Sequence, residues 1–168
     1  MSRRSDYEFL TEWTVEGDIL EVAAVLKDVE AFPRWWRPVY RTAKIVDPGE
    51  HDGTGRIVKF TARGFLPYVL RWIIQVVESR EPHGFTFRAS GDLEGTGVWD
   101  LEQDGRYVKI RIDWRVRARK TIIRVSSFAL RSVFSRNHLW AMAKGEEGLQ
   151  AELRRRHHSA VAANLPRK

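Results

Sequence analysis

The sequence predicts an α+β fold in which a long, bent antiparallel sheet is covered by one C-terminal helix. Three observations lead there. From Val39 to about Ala118 apolar residues recur with a period of two, in consecutive runs separated only by short turns, which is the signature of an antiparallel meander. After Asn137 the period becomes helical, with no proline until the last few residues, and an apolar sheet face has to be covered by whatever element remains. Between them, "GDLEGTGVWDLEQDG" (residues 91–105) places Gly91, Gly95 and Gly97 ahead of Trp99 in a stretch that otherwise reads as strand; glycine there marks a bend or a close approach.

Each element follows in order. "YEFLTEWTV" puts Tyr7, Phe9, Thr11, Trp13 and Val15 on one side and Glu8, Leu10, Glu12 and Thr14 on the other, a half-buried strand. Asp18 then caps a short helix whose Ile19, Val22, Ala23 and Leu26 make one apolar stripe. Pro33 and Pro38 bracket "FPRWWRP", a second short helix or turn. Strands are expected near residues 39–47, 55–62, 68–79, 84–90, 95–103 and 106–118, with "DPGEHDG", "EPHG" and "EQDG" as turns. In the last strand Val108, Ile110, Ile112, Trp114 and Val116 face the core while Lys109, Arg111, Asp113, Arg115 and Arg117 face water.

The remainder, "TIIRVSSFALRSVFSRNHLWAMAKGEEGLQAELRRR", is expected to be helical. Leu139, Met142, Leu149 and Leu153 make one apolar stripe, and His138, Ala141, Gly145 and Gly148 a neighbouring stripe of mostly small residues. A helical glycine costs about 1 kcal/mol relative to alanine. Two of them imply either close packing or space left for a guest. Residues 1–156 are read as a single domain, and 157–168 as a frayed, disordered tail.

Composition sets the outer bounds. The 168 residues, 43% hydrophobic, suffice for one domain with its own core. Cysteine is absent, which excludes a disulfide framework, a thiol nucleophile and a thiolate metal site, and suits a reducing compartment. With no signal-like or membrane-length apolar run in the sequence, the expectation is a cytoplasmic protein without a transmembrane segment. The net charge of +7 raises nucleic acid or an anionic membrane as partners. Much of it is local, on Arg154–Arg156 and the alternating arginines of the last strand, and there is no aromatic–basic interleaving of the RNA-binding type. No specific nucleic-acid partner and at most weak contact with anionic membrane are therefore expected.

The element order, with "FPRWWRPVY", "LPYVLRW", "GDLEGTGVWDLEQDG" and "RNHLWAMAKGEEGLQAEL", resembles the polyketide cyclase/dehydrase and lipid transport group of the START-like (SRPBCC) superfamily. The likeness spans nearly all of residues 5–156, and none of these motifs is a catalytic signature. It implies the helix-grip fold: a seven-stranded curved antiparallel sheet wrapped around a long C-terminal helix, with an apolar cavity between. Members include lipid carriers, hormone receptors and aromatase/cyclases.

Candidate ligand-binding residues follow from composition and position. Seven tryptophans occur, with Trp72, Trp99 and Trp114 inside the meander; flat aromatic rings suit an apolar ligand and equally fill a core, so both readings stand. His138 opens the small-residue stripe, where a near-neutral imidazole can polarise or deprotonate a carbonyl compound or serve only the fold. Arg71 and Gln75 share a side with Val69, Ile73 and Val77; inward they would anchor a carboxylate or hydroxyl, outward they are surface. The expected ligand-contacting set is Trp36, Arg71, Trp72, Phe87, Trp99, Trp114, His138 and Met142, with no catalytic residue assigned. No metal and no cofactor are expected, since His51 and Asp52 lie in a glycine-rich turn and no His-x-x-x-His pair exists. The glycines of residues 91–97 do not form a phosphate loop, because a strand follows them rather than a helix. The expected function is binding of a hydrophobic small molecule, lipid or polyketide-like, by a monomer or homodimer. The alternative is a polyketide cyclase/aromatase-type enzyme that uses the same cavity.

Overall fold

Alternation and turn chemistry resolve into the expected elements in the computed structural model, which describes residues 6–65, 69–118 and 128–163. Strand β1 (Asp6–Glu16) leads into α1 (Ile19–Lys27), a 3-10 turn (Val29–Ala31) and α2 (Phe32–Trp35). Then come β2 (Tyr40–Asp47), β3 (Ile57–Ala62), β4 (Leu70–Ser79), β5 (Gly84–Gly91), β6 (Leu93–Asp104), β7 (Tyr107–Ala118) and the long helix α3 (Phe128–Ala163). The Asp18 carboxylate caps α1, accepting from the Leu20 backbone N–H at 2.8 Å. All seven strands form one antiparallel sheet in the order β1-β7-β6-β5-β4-β3-β2, so the meander closes its first member onto its last. The expected helical residues 121–127, the opening of "LPYVLRW" at 66–68 and the end of the tail at 164–168 lie outside the described residues.

One face of the sheet is core. Val58 and Phe60 of β3, Trp72 and Ile74 of β4, Phe87 of β5, Trp99 of β6 and Ile110 and Ile112 of β7 are buried against α1, α2 and α3. Helix α3 also closes the free edge of β1. Its Glu146 accepts from the Thr14 N–H at 2.8 Å, while Gln150 accepts from the Glu16 N–H at 2.8 Å and donates to the Glu16 carbonyl at 3.1 Å. An open edge that would otherwise recruit another strand is thereby blocked along this stretch.

The two helical glycines serve close packing. A Cβ at Gly145 would run into the Trp36 and Trp13 rings, and one at Gly148 into the Trp35 backbone carbonyl. Trp36 is also tied to the helix by its indole N–H, which donates to the Ala141 carbonyl at 2.8 Å. The buried seam of α3 runs through Phe134, His138, Ala141, Met142, Leu149 and Leu153. Leu139, expected in the apolar stripe, is 64% exposed. One turn of helix gives only a limited arc to the core, and His138 with Met142 occupies it.

The frayed tail expected from residue 157 begins instead as helix. The helix continues past Arg156 to Ala163. The Glu152 carboxylate, only 2% exposed, bonds Arg34 of α2 at 2.7 Å, Arg155 at 2.7 Å and Arg156 at 2.8 Å, and Arg156 reaches Asp28 at 2.6 Å. These bonds, Arg155 foremost, hold its carboxyl at about 2. On the outer sheet face each β7 cation stands beside at least one acidic neighbour. Arg111 is opposite Glu12 and Asp100, Arg115 is opposite Glu8, and Arg117 is opposite Glu94. Asp113 pairs with Arg115 at 3.4 Å and Lys109 with Asp104 at 2.6 Å. A stripe that reads as basic in one strand is thus part of a mixed-charge surface.

Candidate functional site

A curved sheet and a straight helix meet well along one line and diverge away from it. Here α3 packs closely on Trp36 and on Trp13 of β1 at Gly145 and on the Trp35 carbonyl of α2 at Gly148, and sheet and helix diverge toward the N-terminal half of α3, where a cavity of about 180 Å³ opens. Its helical wall comes from Phe134, Asn137, His138, Ala141 and Met142, all N-terminal to the glycine notch. Its sheet wall comes from alternate residues of β3 to β7, the inward parity of each strand.

Of the expected ligand-contacting residues, Trp36, Trp72, Phe87 and Trp99 line this space, and so do Trp114, His138 and Met142. Arg71 does not. Its side chain is exposed on the outer face, as is that of Gln75, while Leu70, Trp72 and Ile74 of the same strand are buried. Adjacent strand residues point to opposite faces, so Arg71 and Trp72 could not both face the helix, and burial of the larger apolar ring decides the parity. Tyr40, Phe60 and Asn137 also line the cavity without having been singled out from sequence. Phe60 could have been found from the alternation of "IVKFTA"; nothing in the sequence marks Asn137. That residue holds the β3–β4 connection, its side-chain oxygen accepting from the Phe65 N–H at 3.0 Å.

The glycines of β6 now have physical roles. Gly97 lies between Phe87 of β5 and Trp114 of β7 in the pairing register, and a Cβ on it would overlap the Phe87 ring. Its hydrogen is what lets that ring lie flat across the strand. Gly95 takes φ +157°, and a side chain there would collide with the Arg115 carbonyl of the neighbouring strand.

Aromatic rings pack in edge-to-face, tilted and stacked pairs around the space. Trp114 lies 6.2 Å from Phe87 at 72° and 6.5 Å from Trp72, and Trp99 meets Trp13 at 5.4 Å and 87°. His138 belongs to this cluster. Its imidazole stacks on Phe9 at 3.8 Å and 18°, and faces Trp114 at 5.9 Å and 70°. With the residue only 8% exposed, desolvation pushes its pKa down to about 4, so it is a neutral imidazole at physiological pH. Burial likewise drives the Tyr40 phenol upward, keeping it protonated.

Two polar atoms of the cavity-lining rings lack partners. Trp114 Nε1 and His138 Nε2 are both buried and make no hydrogen bond among the described residues. A buried polar atom without a partner costs about 1–3 kcal/mol. Formal charges sit at the rim. Lys27 and Glu81 pair with each other at 2.7 Å, Arg56 donates to the carbonyls of Pro48 and Lys27 at 3.2 Å each, and Asp52 and Arg63 are exposed. The interior is therefore mostly apolar, with the Tyr40 hydroxyl and the Asn137 amide as further polar groups and the Trp114 and His138 nitrogens buried without partners. Among the described residues no cluster of three or more His, Asp or Glu could hold a metal ion, and no helix is long and apolar enough to cross a membrane.

No protein-family model matches the chain, and no curated protein matches it. Solved structures do. TTHA0849 from Thermus thermophilus is similar at a TM-score of 0.74 and 16% identity, over 95% of this chain and 100% of that one. The Zhui aromatase/cyclase from Streptomyces sp. R1128 gives 0.68 at 15% identity over 92% and 98%. A START superfamily protein from Mycobacterium smegmatis gives 0.66 at 14% over 90% and 98%. At these identities the likeness establishes the fold: the chain adopts the START-like helix-grip architecture over nearly its whole length.

Proposed function

We propose that this START-like chain binds a hydrophobic small molecule, lipid or polyketide-like, in the space between the sheet and the N-terminal half of α3. The observation that carries the reading is an uncharged, aromatic-walled cavity of about 180 Å³ in a protein of this size. An engineered apolar cavity of about 150 Å³ already takes up benzene, so at least one aromatic ring has room. A guest burying about 300 Å² of apolar surface would gain roughly 8 kcal/mol at 25 cal/mol per Å². Association entropy offsets a large part of that. With about half of the gain offset, affinity near the millimolar range is expected for a rigid guest of this size.

Proteins sharing this fold include one described as an aromatase/cyclase, and a neutral His138 beside the cavity favours a second reading, in which the same space orients a reactive chain for cyclisation. Orientation alone can supply much of such a rate. A histidine held at about 4, however, is a weak base at neutral pH, well below the range where proton transfer is most efficient. Binding therefore ranks first.

Native mass spectrometry of gently purified protein, with quenching of tryptophan emission across a panel of lipids and polyketide-like aromatics, tests the binding reading. Saturable quenching by a subset of the panel is the expected result. No bindable compound across the panel would remove it. Turnover of a poly-β-ketone mimic that falls in His138→Ala would instead support the enzyme.

A further inference from the structure

We infer that the guest carries an uncharged oxygen, as a ketone, ester or hydroxyl, which seats between Trp114 and His138, and that the cavity discriminates against carboxylates; this rests on the binding function proposed above. The inference starts from the two unpartnered nitrogens. An indole N–H can only donate, and a neutral imidazole nitrogen either donates or accepts. A guest that satisfies Trp114 must therefore bring an acceptor.

The two rings are neighbours, 5.9 Å apart and close to perpendicular. Phe9 covers one face of the imidazole at 3.8 Å, so the polar edge of His138 is what remains available for bonding. Both side chains line the cavity and their Nε1 and Nε2 atoms are buried, so the cavity wall carries two hydrogen-bonding groups that an apolar guest would leave unmet. A single oxygen can answer both.

Charge selection follows from what surrounds the pair. Lys27 and Glu81 satisfy each other, and Arg56 is held by backbone carbonyls, all at the rim. Among the described residues the cations that line the cavity, Lys27, Arg56 and Arg63, are all at least partly exposed, so an anion placed beside Trp114 would lose its hydration at a far larger penalty than a neutral oxygen. The class that fits is a neutral, oxygen-bearing aromatic or polycyclic compound rather than a fatty acid with its carboxylate buried.

Three matched probes test this: 2-ethylnaphthalene, 2-acetylnaphthalene and 2-naphthoate, titrated into protein carrying 15N-labelled tryptophan and followed by NMR. The ketone should bind about tenfold more tightly than the hydrocarbon, the factor expected for one net neutral hydrogen bond, and should shift the Trp114 indole N–H downfield. In Trp114→Phe and His138→Phe that preference should shrink to within about twofold while hydrocarbon affinity is retained. The naphthoate should bind more weakly than the ketone. Hydrocarbon and ketone binding alike to the wild type, a preference surviving in both variants, or naphthoate matching the ketone would each overturn the inference while leaving the binding reading intact. Failure of all three probes to bind would remove both.

Discussion

His138 gives the most direct thermodynamic handle on the buried cluster, because its burial makes a pH-dependent demand on stability. In the unfolded chain a histidine titrates near 6.5, while in the fold this one is pushed down to about 4. Its folded value is the lower of the two. Above pH 6.5 it is neutral in both states and contributes nothing to the pH dependence. Below that the unfolded chain takes up a proton that the native state refuses, so stability falls until the folded site also protonates near pH 4. The gap of roughly 2.5 units, at 1.36 kcal/mol per unit, amounts to about 3 kcal/mol in full, of which about 2 kcal/mol is expressed by pH 5. The assay is urea unfolding of the wild type and His138→Phe at pH 7 and pH 5. Phenylalanine preserves stacking on Phe9 and removes the titration. Glu152, held at about 2, stays ionised over this window, and surface carboxylates cancel in the comparison. The variant should gain about 2 kcal/mol relative to wild type between pH 7 and pH 5. A difference that stays constant within about 0.5 kcal/mol would mean that the imidazole is hydrated or partnered in solution, and the picture of a dry, unpartnered cluster would be wrong.

Four further outcomes follow from the same geometry. Gly145→Ala should destabilise by about 1–3 kcal/mol in denaturant melts despite alanine's better helix propensity, because its Cβ meets the Trp36 and Trp13 rings. Gly97→Ala should push the Phe87 ring into the cavity and weaken binding of 2-ethylnaphthalene several-fold by NMR titration, a larger effect than on the unfolding midpoint. Glu152→Gln should lower stability at pH 7 by about 1–2 kcal/mol, discounted for the exposure of its three arginines; with the folded carboxyl at about 2, the wild-type contribution is present above pH 4.5 and lost on acidification toward pH 2, so the two proteins should converge there. Arg71→Ala, on the outer face, should leave 2-ethylnaphthalene affinity unchanged within about twofold.

The strands were legible because each carries its own alternation and is bounded by its own turn, so β1 and β7 can be read with no knowledge of each other. Which parity faces inward was also readable wherever one side is uniformly apolar, as for Val108, Ile110 and Ile112. In β4 both sides carry aliphatic residues, and the polarity of Arg71 and Gln75 suggests an anchor as readily as a surface; only the assembled sheet packed on its helices assigns Trp72 to the inside. The helix was harder. Leu139 and His138 differ by one position, and hydrophobicity alone favours burying the leucine, yet the stacking partner Phe9 and the facing Trp114 come from strands more than a hundred residues and about twenty residues away in sequence. The Glu152 network was invisible for a related reason: three arginines in a row read as a solvated end until Arg34 and Asp28 are brought beside them.

The position of the cavity is itself a consequence of where the small residues fall. Gly145 and Gly148 remove side chains from one end of the α3 seam, so α2 and β1 press Trp35, Trp36 and Trp13 directly onto the helix there. One to two turns earlier the seam carries Ala141 and His138. Ala141 is too small to span the gap, His138 meets the sheet at Phe9 of β1 and Trp114 of β7, and Gly97 removes a side chain from the sheet side and gives its place to Phe87, whose ring lies along the wall. Close packing at one end and retreat at the other are produced by the same residue type on different elements. If that is the cause, filling the seam at Ala141 with leucine should close the space and abolish uptake of an apolar probe at little expense in stability. The same leucine at Gly145 should instead disrupt the fold, since there the rings of Trp36 and Trp13 already occupy the site.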